Sequence, residues 1–107
     1  GEEKKVLKTG WVKKKRVDRA SLQYKERYLV LTSTSLSYYA DPKSSPLGDL
    51  PLKDMVITPE KTFSGAASPT QFRIKTQIRE YLIVTSSAKD AAAWMGALKG
   101  AIEEVRG

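Results

Sequence analysis

The sequence predicts a mainly β domain closed by a single C-terminal amphipathic helix, with the strands arranged as a sandwich or barrel. Three observations point there. Short alternating runs separated by turn chemistry recur from Val6 to about Thr85, apolar spacing becomes helical behind Ser87, and 107 residues that are 40% apolar suit one compact domain with one core.

Residues 1–5, Gly-Glu-Glu-Lys-Lys, read as a frayed or added terminus, which leaves 6–107 as one domain. The first strand candidate spans 6–14, and Gly10 in it marks a close backbone approach or a bulge. The second spans 24–31. A polar connection, Thr32-Ser33-Thr34-Ser35, joins it to Leu36-Ser37-Tyr38-Tyr39-Ala40 and gives a hairpin signal with the third candidate, 35–40. The loop Asp41-Pro42-Lys43-Ser44-Ser45-Pro46 holds two prolines that cannot donate to a strand ladder. Candidates 47–52 and 54–58 follow. Thr58 to Thr70, with Pro59, Gly65 and Pro69, is the longest predicted loop, and 71–76 and 80–85 complete the strands. Ser87 with Asp90 resembles a capping box; behind it Ala91, Trp94, Met95, Leu98, Ile102 and Val105 form one stripe, and Gly107 is a stop. The helix has balanced charge, so it is expected to pack on the sheet rather than lie on a membrane. Trp11 and Trp94 are expected to anchor the core, and Phe63 to pack locally within its loop.

Absences narrow the chemistry. No cysteine supplies a thiolate, a disulfide or a soft metal ligand, and no histidine supplies a neutral-pH proton carrier. Glu103 and Glu104, adjacent on a helix, diverge by about 100° and make a poor acid–base pair. No phosphate-binding glycine pattern appears. The reading is therefore a non-enzyme with no cofactor. With no apolar run near the roughly 20 residues of a membrane span, any contact with a bilayer is expected at its surface.

Charge sharpens the picture. The chain carries a formal +7; residues 1–30 hold ten basic and four acidic side chains, while the remaining 77 residues hold nine and eight. The excess sits in the first two strands and their joining loop, taken as 15–23, and calls for an anionic partner. Side chains two apart on a strand share a face, so Lys25 and Arg27 belong with Leu29 and Leu31, Lys14 follows Val12, and Tyr38 follows Leu36. The matching register sets Lys14 opposite Lys25, Val12 opposite Arg27 and Leu29 opposite Tyr38. Three cations and a phenol then meet at one mouth, where opposed like charges repel. A polyanion would relieve that repulsion. Nucleic acid is disfavoured, because parity sets Tyr24 and Tyr28 with Glu26 and leaves no continuous aromatic platform for bases.

These residues resemble the pleckstrin-homology family over essentially the whole chain. Thr9-Gly10-Trp11-Val12-Lys13-Lys14 is similar to its opening strand, Tyr24-Lys25-Glu26-Arg27-Tyr28-Leu29-Val30-Leu31 to its second, Leu36-Ser37-Tyr38-Tyr39 to its third, and the helix with Trp94 to its C-terminal helix. The resemblance implies a seven-stranded, two-sheet, partly open barrel capped at one end by the helix. It also implies a phosphoinositide-binding module in which Lys14, Lys25 and Arg27 contact ring phosphates and Tyr38 favours 3-phosphorylated inositides. Lys13, Lys15, Arg16, Arg19 and Lys43 would flank the headgroup. Two positions depart from the pattern: Glu26 stands between the motif bases, and Leu47 stands where several strong binders carry arginine. The implied location is cytoplasmic and peripheral to a membrane, most simply the plasma membrane. The competing reading is a protein-interaction module for a small GTPase or another signalling protein, with weak and unselective attraction to anionic lipid.

Overall fold

The computed structural model describes residues 5–17 and 23–107, so the expectations for residues 1–4 and for Arg19 lie outside the described residues. Seven strands, β1 (Val6–Arg16), β2 (Lys25–Thr32), β3 (Ser35–Tyr39), β4 (Pro46–Pro51), β5 (Val56–Lys61), β6 (Ala67–Lys75) and β7 (Glu80–Val84), precede one helix, α1 (Ala88–Arg106). The strands form an antiparallel sheet in the order β4-β3-β2-β1-β7-β6-β5. β1 belongs to both halves: Val6 to Lys14 pairs with β2, and Lys13 to Arg16 pairs with β7. The halves share one core, since Val12, Leu29, Leu31, Leu36 and Leu50 of the first cluster with Ile57, Phe72, Ile74, Tyr81 and Ile83 of the second. β4 and β5 remain the two edges, which leaves the barrel partly open.

All seven predicted strands are present, with shifted ends. The long loop expected over 58–70 shrinks, because β5 runs to Lys61 and β6 starts at Ala67. Both of its prolines sit in strands. Pro59 is tolerated on an edge strand, and Pro69 falls where the β5–β6 register slips between Pro59 and Lys61. β4, the other edge, likewise begins and ends with proline. The β2–β3 hairpin closes on the buried Thr32, whose Oγ1 accepts the Ser35 N–H at 3.1 Å and donates to the Ser35 carbonyl at 3.2 Å.

Helix α1 begins at Ser87, whose Oγ accepts the Asp90 N–H, and ends at Gly107, whose N–H returns to the Glu103 carbonyl from a left-handed φ of 62°. Ala91, Trp94, Leu98, Ala101 and Ile102 are buried, so the stripe packs inward; Val105 alone of the expected set lies exposed near the end. Trp94 is fully buried, with the Lys8 ammonium 5.1 Å from its ring and Gly10 beneath it. A Cβ at Gly10 would stand 3.5 Å from the indole, an ordinary van der Waals contact, so the close approach expected there does not require glycine, and the bulge in β1 falls instead between Val6 and Lys8.

Two aromatic expectations are corrected. Trp11 is 48% exposed, not a core residue, because Val12 and Lys14 take the inward parity of β1 and turn Trp11 outward. Its ring meets Tyr28 edge-on at 5.5 Å, and Tyr28 is in register with Tyr39. An aromatic row therefore does cross the outer face, which the parity of Tyr24 and Tyr28 alone did not reveal. Phe63 makes no local packing: it stands fully exposed at the β5–β6 turn, whose own closure is the Thr62–Ala66 and Thr62–Gly65 backbone pairing.

The indole N–H of Trp94 is buried without an acceptor. Trp94→Ala is therefore expected to cost about 3–5 kcal/mol in urea unfolding through the cavity it leaves. Trp94→Phe should cost markedly less, since it keeps most of the packing and removes an unpaired donor.

Candidate functional site

The cationic mouth is built by strand alternation. Lys14 pairs with Lys25, Val12 with Arg27 and Leu29 with Tyr38, the register that parity predicts. Past Val12 and Leu29 the inner face reaches the open end of the barrel, and core positions give way to Lys14, Lys25, Arg27 and Tyr38. These four line a cup of about 350 Å³ together with Lys15 and Arg16, and its wall is completed by Gln23 and Leu47. Two larger surface grooves, of about 500 and 620 Å³, carry mixed charge, so it is the concentration of cations rather than size that singles out the cup.

The flanking residues divide. Lys15 and Arg16 are on the cup, but as strand residues, because β1 extends to Arg16 where a loop from 15 was expected. Lys13 takes the outward parity and lines a different groove with Trp11 and Glu26. Glu26 is thus directed away from the cup, and the Arg27 guanidinium donates to its backbone carbonyl at 2.8 Å. Lys43 belongs to the turn closed by Asp41 and Ser44 and does not line the cup.

Lys14 occupies the centre. Its ammonium stands 4.0 Å from the Tyr38 ring centroid and 4.1 Å from that of Tyr81, held between two faces that each attract a cation. Burial, followed by repulsion from Arg27, Arg16, Arg79 and Lys25, lowers its pKa from 10.5 to about 8. Tyr38 shifts the other way: burial raises its pKa, as does the neighbouring Tyr81 phenol. The two phenol rings lie 6.2 Å apart, and Arg79 Nη1 donates to Tyr81 Oη at 3.3 Å. Among the described residues no carboxylate lines the cup.

Several of these partners were not found from sequence. Tyr81 and Arg79 reach the cup because β7 pairs with β1, with Arg16 opposite Tyr81, a contact between residues far apart in the chain that no local pattern announces. Gly48 did carry a signal, since glycine inside a strand marks close approach. It pairs with Tyr38 across β3–β4, and a Cβ there would overlap the Tyr38 Cζ and Oη atoms. Glycine at 48 is what lets the Tyr38 ring lie against β4 and face Lys14.

With this geometry in hand, the chain matches the family model described as PH domain over residues 6–103. Among solved structures it is similar to the carboxyl-terminal PH domain of pleckstrin, at 25% identity and a TM-score of 0.73, covering 94% of this chain and 99% of that one. The same pleckstrin domain in complex with D-myo-Ins(1,2,3,5,6)P5 aligns at 24% identity and a TM-score of 0.74, covering 91% and 95%. A DH/PH fragment of PDZRHOGEF in complex with human RhoA aligns at 16% identity and a TM-score of 0.76, covering 94% of this chain and 29% of that one. No curated protein matches by sequence.

The site generates two expectations. Between the folded pKa of about 8 and the unfolded value of 10.5 the unfolded chain binds more protons at Lys14, so this group's contribution to stability rises with pH across that window, and its penalty is fully present below it. A bound polyanion should draw the pKa back up; phosphate affinity in calorimetry is therefore expected to fall as pH climbs past about 8, and to fall less in Lys14→Arg. Gly48→Ala should displace the Tyr38 ring, visible as a change in its NMR ring shifts, and weaken polyphosphate binding by about tenfold, the loss of roughly one good interaction.

Proposed function

The chain belongs to the PH domain family, and from that premise we propose that it is a non-catalytic module, a single unit over residues 6–107, that binds a phosphoinositide headgroup and so carries its host protein to the cytoplasmic face of a membrane. The observation that carries this reading is the cup itself. Lys14, Lys25 and Arg27 converge with Arg16 nearby and no described carboxylate among them, at the cost of a depressed Lys14 pKa. Clustered phosphate oxygens are the ligand that turns this repulsion into attraction. Arg27 is suited to two oxygens at once, and Lys14 and Lys25 act as point charges.

Tyr38 supports the reading in a modified form. Its ring faces the Lys14 ammonium at 4.0 Å, so its first contribution is the ring face that positions Lys14. Donation from the hydroxyl to a phosphate, the feature that favours a 3-phosphorylated inositide, would add a charge-assisted bond. Lys15 and Arg16 add general attraction to an anionic leaflet, worth about 1 kcal/mol each and weakened by salt. Among the described residues no helix is long and apolar enough to cross a membrane, which fits a peripheral contact.

The exposed Trp11, edge-on to the half-buried Tyr28 on the outer face, favours a second reading, a protein-docking module. Vesicle sedimentation separates the two. Under the first, Arg27→Ala and Lys14→Ala each reduce binding to phosphoinositide vesicles by about tenfold to a hundredfold, the loss of one hydrogen-bonded charge contact. Equal binding by wild type and Arg27→Ala would leave the docking module as the better account.

A further inference from the structure

The outward face of β1 breaks its own pattern at one position. Thr9 and Lys13, which strand alternation sends outward, are polar and exposed, but Trp11 between them is an indole half in water. A lone surface aliphatic is ordinary, whereas a large ring left outside the core is the kind of residue that interfaces use. Strand order puts β2 on one side of Trp11 and β7 on the other. On the β2 side the ring is propped edge-on by Tyr28 at 5.5 Å. On the β7 side it borders a groove of about 500 Å³. The groove opens where β1 and β7 diverge: Lys13 still pairs with Val84, but past that pair the chain turns through Thr85 and Ser86 toward α1. Trp11, Val12 and Lys13 form one wall, and Val84, Thr85 and Ser86 form the other.

The chemistry of these walls selects an occupant. Among the described residues, the indole N–H of Trp11 and the hydroxyl of the exposed Ser86 have no partner within the protein, so the groove offers donors. Lys13 and Glu26, both lining it, are opposite each other in register; their charges cancel, and a neutral ligand leaves neither unanswered. An added β-strand suits the groove poorly. The Thr85 N–H already donates to the Thr70 carbonyl at 2.9 Å, and the Thr85 hydroxyl is engaged with the Thr70 and Ser87 carbonyls, so a strand laid there would lack that donor. A polyproline II segment suits it well. Proline has no N–H, so such a segment is a chain of free acceptors, and its rings pack on aromatic faces without first paying to order the backbone.

We propose that the groove between β1 and the β7–α1 connection docks an uncharged, proline-rich segment of a partner protein, stacked on Trp11 and held by its indole N–H. This rests on the docking reading above and names its partner class. It leaves the headgroup site free, because Trp11 and Lys13 lie on the face of β1 opposite Lys14, so both ligands can be held at once. The test titrates decaproline into the wild-type domain, followed by tryptophan emission and by NMR, with a glycine–serine decapeptide as control. Trp11 reports directly, since the other tryptophan, Trp94, is fully buried. Decaproline is expected to saturate, to shift the Trp11 emission to the blue, and to move the Trp11 indole, Lys13 and Val84–Ser86 resonances while those of Lys25 and Arg27 stay in place. By NMR, Trp11→Ala should lose about tenfold or more in affinity, as for removal of an aromatic anchor. Trp11→Phe should lose less, because it keeps a ring and gives up the donor; Ser86→Gln, which narrows the groove from its far wall, should also weaken binding. All three should match wild type on phosphoinositide vesicles. Equal decaproline binding by Trp11→Ala, an equal response to the glycine–serine peptide, or resonance changes at the cup instead of the groove would overturn the proposal. Self-association that Trp11→Ala abolishes, with no decaproline response, would overturn it in favour of a second copy of this chain and keep the docking reading. A Trp11 face silent toward both would remove the docking reading as well.

Discussion

The ammonium of Lys14 lies between two phenol rings with cations around it and no described carboxylate beside it. That arrangement is the constraint on which the open end of the molecule depends. A lysine with no ligand would ordinarily turn into water, where its charge is cheapest. Here the two ring faces compensate part of the desolvation, and they draw the ammonium back to the floor of the cup. The result is a charge held in position before any ligand arrives, which lowers the ordering cost of binding.

Each part of that arrangement is secured by a different element. β1 delivers Lys14, β3 delivers Tyr38 and β7 delivers Tyr81, so the sandwich forms only when both halves of the sheet have closed on β1. Gly48 on the β4 edge leaves the space in which the Tyr38 ring lies, and Arg79 from the β6–β7 turn bonds to the hydroxyl of Tyr81. The far end of the barrel is occupied by α1, whose Trp94 is buried against Lys8 and Gly10. With one end filled by the helix, polar ligands have the other. The site is thus a consequence of how the core ends: inward positions that are leucine and valine deeper in the barrel become lysine, arginine and tyrosine at its mouth.

Strand parity explains both the successes and the failures of reading this chain. It correctly set Lys14, Lys25, Arg27 and Tyr38 on the inner face, in the register found, and turned Glu26 outward. Applied to Trp11 it would have given the right answer too, because Trp11 alternates with Val12; the general preference of tryptophan for cores pointed the other way, and alternation prevailed. The loop over 58–70 was overextended because Pro59 and Pro69 were read as breakers, whereas an edge strand and a register slip accommodate a missing N–H.

The order of residues by itself determined the strands, the helix with its caps and its buried stripe, the polarity of each strand face, and therefore which cations share the inner surface. Those properties follow from periods of two and 3.6 residues and from the nearest turn, and they need no distant partner. Only the tertiary structure decided that β7 joins β1, that Tyr81 and Arg79 stand behind Lys14 at the floor of the cup, and that Lys13 belongs to another groove. Those outcomes depend on contacts between residues tens of positions apart, whose energies come from closing the sheet and filling one shared core. A local pattern carries no record of which distant strand will satisfy its hydrogen bonds.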